Sequence, residues 1–211
     1  MPPDVDDSAD DTARAREPRF GYPVVLDLHG VPVLVVGGGR IGARKAEGLV
    51  AAGAVVRLVA TEVSVHVDGI GVDEIRERPF ATEDLDGIRL VVTATGDAAV
   101  DAAVSEAARA RGVWTNAADQ PVDCEFILPA IARSGRVSVS VSTDGASPAL
   151  ARELRNLIAD LMTPELGALA EQLAAERAEV QARGESTEDV DWTKRVRDGT
   201  TAAIESRSLA P

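Results

Sequence analysis

The sequence predicts an α/β fold built on a doubly wound parallel sheet, and three features predict it. Apolar, β-branched runs alternate with stretches of helical periodicity through the first half of the chain. The run Val33-Leu34-Val35-Val36 is apolar throughout, as a strand buried on both faces requires. It leads directly into Gly37-Gly38-Gly39-Arg40-Ile41-Gly42, a glycine turn from strand into helix.

The elements follow in order. A helix with Ala46, Leu49 and Val50 on one face is stopped by Gly53, and a second strand covers 55–59. A third strand falls near 73–78. A turn and short helix over 80–85 turn Leu85 inward, and 88–93 is the fourth strand. Thr93-Ala94-Thr95-Gly96-Asp97 then opens a helix over 98–111, closed by Gly112, and 113–116 is the fifth strand with Trp114 in the core.

After residue 116 the rhythm breaks. Residues 117–121 read as a loop and 126–131 as an apolar segment. Val137-Ser138-Val139-Ser140-Val141-Ser142 alternates with period two, the mark of a strand with one buried face. Its edge needs covering, by a second copy in a homodimer or by the same chain. Ser147 and Pro148 supply an N-cap and a first-turn proline for a helix through Leu150, Leu154, Leu157, Ile158 and Leu161. Thr163-Pro164 starts another, with Leu166, Leu169, Leu173 and Ala174 on one face and Gly184 at its end. Ser186 or Thr187 is expected to cap a last helix carrying Trp192, Val196 and Ile204.

Residues 1–19 carry Asp4, Asp6, Asp7, Asp10 and Asp11 with almost nothing to bury, and read as a disordered tail. The N-terminus is acidic and so lacks the basic start of a signal peptide, and no apolar run is long enough to cross a bilayer. The net charge of −13 argues against nucleic-acid binding, which needs basic surface. Cys124 is the single cysteine, so no intramolecular disulfide and no cysteine-cluster metal site is expected. It suits a reducing, cytoplasmic setting and a small buried role. His29 and His66 read as exposed and incidental, and no metal ligand set is predicted.

Gly37, Gly39 and Gly42 keep the G-x-G-x-x-G spacing of a dinucleotide pyrophosphate site, with Gly38, Arg40 and Ile41 completing the turn. Glu62 lies about 20 residues beyond the third glycine, where an acidic group holds a ribose, either at the end of the second strand or in the loop past it. No arginine follows to hold a 2′-phosphate, which favours NAD. Thr93 and Thr95, at the carboxyl end of the fourth strand, are expected to face the nucleotide. Asp119, in the loop after the fifth strand, is a candidate general base or a turn-forming aspartate. Residues 142–147 read as an anion nest or a plain helix cap, with Arg152 and Arg155 one turn apart beyond it.

Several segments in this order resemble one family: Tyr22-Pro23 with Leu26-Asp27-Leu28, Val33 to Gly39, Ala43-Arg44-Lys45-Ala46, Thr93-Ala94-Thr95, Asn116-Ala117-Ala118-Asp119, and Ser147-Pro148-Ala149-Leu150-Ala151-Arg152. The chain is similar, over roughly residues 20 to 200, to the precorrin-2 dehydrogenase/sirohydrochlorin ferrochelatase family, the N-terminal module of siroheme synthase. The Asn-x-x-Asp loop and the Thr-Asp-Gly-Ala-Ser-Pro-x-Leu-Ala-Arg segment make the likeness specific.

The resemblance implies a Rossmann-type NAD-binding domain over 20–118, a small α+β dimerisation domain over 119–162 and a C-terminal helical domain from 163 to 211. It implies NAD-dependent oxidation of precorrin-2 to sirohydrochlorin, with Asp119 as the catalytic aspartate. In some members ferrous iron is then inserted as a second substrate. Asn116, Ser142, Thr143, Ser147 and Arg152 fall where the tetrapyrrole would be held. Departures are Thr61, where the family commonly has proline, and Gly96-Asp97, where it commonly has two acidic residues; both touch cofactor preference. The sequence ends after the helical segment, so a methyltransferase is not expected. Two other readings stay open: a non-catalytic NAD-binding regulator, and a chelatase alone.

Overall fold

In the computed structural model, which describes residues 19–205, β1 (Pro32–Gly38) is the middle strand of a five-stranded parallel sheet. The chain divides into two units, 1–128 and 129–211. In the first, β1 is flanked by β2 (Val55–Val63) and β4 (Leu90–Thr93); β3 (Glu74–Glu77) and β5 (Trp114–Ala117) lie outside them, in the order β3-β2-β1-β4-β5. That order reverses direction at β1 and β4, so the sheet is doubly wound as predicted.

Both faces of β1 are buried. Val33 and Val35 pack with Ala43 and Ala46 of α1 (Arg40–Ala51). Leu34 and Val36 pack with Val104 and Ala108 of α2 (Ala98–Ala110) on the other side. Small residues on α1 let the helix lie close to the sheet, and burial of each of these strand side chains contributes about 1.5–3 kcal/mol.

The second strand is longer than predicted. It runs to Val63 because β1 does not stop at the glycine turn: after an irregularity between Val36 and Gly38, Gly38 pairs with Val63. Trp114 is not a core residue. It stands on the outermost strand with half its surface exposed. The free edge of β5 is closed instead by residue 125, since the Glu125 carboxylate accepts from the Thr115 N–H (2.9 Å) and the Glu125 N–H donates to the Thr115 carbonyl (2.8 Å). The predicted tail lies, but for Arg19, outside the described residues.

In the second unit, β6 (Ala130–Ser134) and β7 (Val137–Val141) form an antiparallel hairpin with α3 (Pro148–Ala159) packed on it. The alternation reads through: Val137, Val139 and Val141 are half-buried, while Ser138 and Ser140 are exposed. The apolar run 126–131 therefore contributes only its end to a strand. α4 (Pro164–Ala182) and α5 (Thr193–Glu205) pack together. Buried Thr163 links the unit, capping α4 at Leu166 N (3.3 Å), donating to Ala203 of α5 (2.9 Å) and accepting from Ser134 of β6 (2.6 Å). On α4, Leu169 is buried but Ala174 is exposed. Neither Ser186 nor Thr187 caps α5. The Asp191 carboxylate accepts from Thr193 N (2.9 Å), and Trp192 precedes the helix with its indole N–H on the Thr187 carbonyl (2.9 Å).

The outer edge of the main sheet is held by a charged cluster. Asp84 is fully buried, accepting from Arg76 (2.6 Å), Arg78 (2.7 Å) and the Ala81 N–H (2.9 Å), while Arg57 donates to its backbone carbonyl (3.0 Å). Burial alone would raise this carboxyl; Arg78, the Ala81 N–H and Arg76 outweigh it and hold it at about 2, below the ordinary 3.8. A depressed carboxylate stabilises the fold in full above its ordinary value and loses that contribution as the pH falls through the folded one. The unfolding free energy of the native chain relative to Asp84→Asn should therefore shrink by about 2 kcal/mol between about pH 6 and pH 2. Urea titrations of both proteins across that range would measure it, and a constant difference would contradict the pairing.

Candidate functional site

The glycine turn is built by close backbone approach. Gly37 has φ 120°, and a Cβ there would meet the Ala94 carbonyl at 2.3 Å. A Cβ on Gly42 would meet the Gly37 carbonyl at 2.0 Å, and one on Gly38 the Glu62 carbonyl at 2.4 Å. Gly39 differs: it is the N-cap of α1, with open space where a side chain would be. No side chain caps α1 and no acidic residue lies in its first turn, so the N–H groups of Arg40, Ile41 and Gly42 face an unfilled position. That arrangement suits an anion.

The turn is held from the side by Ser64, which the sequence reading passed over. Its hydroxyl (2.7 Å) and N–H (3.0 Å) both donate to the Gly38 carbonyl. Thr61 and Glu62 are exposed just before it, within β2 rather than in a loop beyond it. His66 is exposed, as expected, and lines a shallow cleft with Arg40 and Arg44.

At the end of β4, Thr93 is fully buried and its hydroxyl has no hydrogen-bond partner. Thr95 begins the turn into α2, where the Asp97 carboxylate caps the helix at Ala99 N (2.9 Å) and Val100 N (3.3 Å). The Thr95 N–H and hydroxyl donate to Asp101 (3.2 and 2.8 Å), a buried carboxylate absent from the predicted set.

Asp119 stands exposed beyond β5 in a left-handed conformation (φ 60°) that aspartate tolerates better than most residues. Its loop is tied down on all sides. The Ala118 N–H donates to the Thr93 carbonyl (2.9 Å), and the Arg19 guanidinium to the carbonyls of Pro121 and Cys124 (3.0 Å each). The Cys124 sulfur accepts from Ala117 N (3.2 Å), and burial pushes its thiol up from the ordinary value, as suits the predicted packing role. Asn116 donates to the Phe126 carbonyl (3.0 Å), leaving its buried Oδ1 without a partner.

Lys45, half-buried on α1, was also missed. Burial lowers its ammonium below the ordinary value, Arg44 lowers it further, and Cys124 and Asp119 oppose the fall. The first unit thus gathers Gly37 to Gly42, Thr61, Glu62, Thr93, Thr95, Asn116 and Asp119 at the carboxyl ends of its strands. Among the described residues no group of histidine, cysteine and acidic side chains could hold a metal ion.

In the second unit, Ser142, Thr143 and Ser147 share the turn before α3. Thr143 Oγ1 accepts from Ser147 N (3.1 Å), Ser142 Oγ from Asp144 N (3.2 Å), and Ser147 Oγ caps the helix at Leu150 N (3.2 Å). Asp144 and Gly145 have φ 52° and 79°, so successive left-handed residues shape the turn. Arg152 is exposed, and Arg155 is half-buried with an unpartnered Nε.

Comparison with known proteins agrees with this geometry. The family model described as "Putative NAD(P)-binding" matches residues 24–130, and the model "Sirohaem biosynthesis protein central" matches residues 135–161. The siroheme synthase of Methylococcus capsulatus is 43% identical over 160 residues, covering 74% of this chain and 34% of that protein. Siroheme synthase 1 of Serratia proteamaculans is 39% identical over 164 residues, covering 76% and 34%. The chain therefore spans about a third of the length of these curated relatives. A solved structure titled "SirC, precorrin-2 dehydrogenase" superposes with a TM-score of 0.68 at 25% identity, covering 90% of this chain and all of that one. The glycine turn, the sheet order and both family matches lead to one assignment: the chain belongs to the NAD(P)-binding family of siroheme-biosynthesis proteins.

Proposed function

We propose that the chain oxidises precorrin-2 to sirohydrochlorin with NAD, and that Asp119 is the base. One observation carries the reading. The uncapped N-terminus of α1, the Thr93–Asp97 turn and the Asp119 loop follow β1, β4 and β5 in a parallel sheet, so all three lie along its carboxyl edge. The glycine turn fits a dinucleotide, because the space at Gly39 and the free N–H groups beyond it leave room and donors for a pyrophosphate.

When bound there, NAD supplies the hydride acceptor. The chain's own residues do the rest. Arg40, Ile41 and Gly42 hold the pyrophosphate through their N–H groups. Glu62, exposed beside Thr61 at the end of β2, accepts from the ribose hydroxyls. Thr93, buried at the end of β4, and Thr95, in the turn after it, would shape the cofactor side of the site. Oxidation removes two hydrogens, one as hydride and one as a proton, and the Asp119 carboxylate takes the proton. Asn116 supports that loop.

Ser142, Thr143, Ser147 and Arg152 of the second unit bind carboxylate arms of the tetrapyrrole through N–H, hydroxyl and guanidinium donors. Ferrous iron enters only as a second substrate. The division at residues 118 and 162 into cofactor, dimerisation and helical segments belongs to the same reading. So does a homodimer: Leu150, Leu154 and Leu157 of α3, with Leu161 just beyond its end, form an exposed apolar stripe that a second copy would cover.

Three tests follow from these assignments. Anaerobic incubation with precorrin-2 and NAD should yield NADH and sirohydrochlorin, and Asp119→Asn should slow this by about 100-fold or more. NAD binding without turnover in the native chain would favour a regulator; turnover only in iron insertion would favour a chelatase. Gly39→Asp places a carboxylate in open space at the N-cap, so it should leave the melting temperature near that of the native chain while weakening NAD by about tenfold or more in calorimetry. Leu154→Arg should convert a dimer to monomer in sedimentation at micromolar concentration, and a native chain that is monomeric there would refute the α3 interface.

A further inference from the structure

We propose that Asp101 is a positioning residue that couples the cofactor-side turn carrying Thr95 to the loop carrying Asp119. It deepens the reading above and rests on it. Asp101 lies in the first turn of α2, only 2% exposed. Its two carboxylate oxygens have different partners. Oδ1 accepts from the Thr95 N–H (3.2 Å) and from the Thr95 hydroxyl (2.8 Å). Oδ2 accepts from the side-chain amide of Gln120 in a longer bond of 3.5 Å.

Gln120 directly follows Asp119, the residue in the left-handed conformation. One buried carboxylate therefore joins the turn after β4 to the turn after β5, through Thr95 on the cofactor side and Gln120 next to Asp119. Both oxygens of this buried side chain have protein donors, and it lies in the first turn of α2, at the positive end of the helix dipole. The Thr95 hydroxyl is itself oriented, since it also accepts from Asp97 N (3.1 Å). The structural role of the remaining backbone is separate: Ala118 N already holds the Asp119 loop to β4 through the Thr93 carbonyl. What Asp101 adds is the setting of two side chains across the site.

The two halves can be separated by mutation. Asp101→Ala removes both. Asp101→Asn keeps an acceptor for Thr95 and, by rotation of the Gln120 amide, a bond to Gln120, so it should rescue. Gln120→Ala removes only the loop half. In steady-state assays of the full chain with precorrin-2 and NAD, Asp101→Ala should raise KM for NAD and lower kcat, each by about tenfold. Asp101→Asn should stay within about twofold of the native chain, and Gln120→Ala should lower kcat with KM for NAD unchanged.

Unchanged kinetics in Asp101→Ala, with only a lower melting temperature, would overturn the proposal. Should Asp101→Ala fail to fold, Gln120→Ala decides: a native kcat overturns the coupling. If the native chain does not turn over precorrin-2, the functional reading fails, and amide hydrogen exchange still judges the clamp. Protection of the Thr95 N–H should then fall in Asp101→Ala and persist in Asp101→Asn; equal protection in all three proteins would overturn it.

Discussion

Everything at the carboxyl edge of the sheet depends on how closely the backbone of β1 approaches its neighbours as it turns into α1. The Gly37 carbonyl occupies the space that a side chain on Gly42 would need, and Gly37 itself rests against the Ala94 carbonyl after β4. The two contacts bring the start of α1 against β1 and set the β1 turn against the β4 turn. A methyl group at either glycine would push them apart. Because protein interiors do not deform continuously, that displacement would reach both turns at once.

The same crowding explains the length of β2. Gly38 remains in register with the neighbouring strand after the turn has begun, so Val63 pairs with it and Ser64 can close on its carbonyl from two donors. Glu62 is carried along in extended backbone, exposed beside the glycines. On the opposite side of β1, the β4 and β5 turns are linked by backbone from Ala118 to Thr93 and by side chains through Asp101. The site is thus a set of loops whose positions are fixed by short backbone contacts, with exposed carboxylates at Glu62 and Asp119 free to meet ligands.

Much of this was legible in the sequence, and for local reasons. The four apolar residues before Gly37 announce a strand buried on both faces. Ser147-Pro148 and Thr163-Pro164 announce helix starts through chemistry confined to three or four residues. The valine–serine alternation of β7 survives intact because a hairpin packed on one face has period two whatever lies against it. The errors fall where a contact that the local pattern does not reveal decides the outcome. Trp114 reads as core from its composition, but β5 is an edge strand and its outer face has no covering element. Ser186 and Thr187 look like caps, yet Trp192 donates to the Thr187 carbonyl and it is the Asp191 carboxylate that accepts from Thr193 N at the helix start.

By itself, then, the sequence determined the order of strands and helices, the glycine turn and the chemistry on offer at Glu62, Asp119 and the Ser142–Ser147 turn. These rest on spacing, patterning and backbone preference, which act within a few residues. Only the tertiary structure decided that β2 extends past Glu62, that Ser64 pins Gly38 and that Asp101 is buried between Thr95 and Gln120. Those facts join residues far apart in the chain, 26 positions for Ser64 and Gly38 and 19 for Gln120 and Asp101. Chain crossings bring them together, and a solvated acid and a buried clamp are the same letter until the sheet has formed.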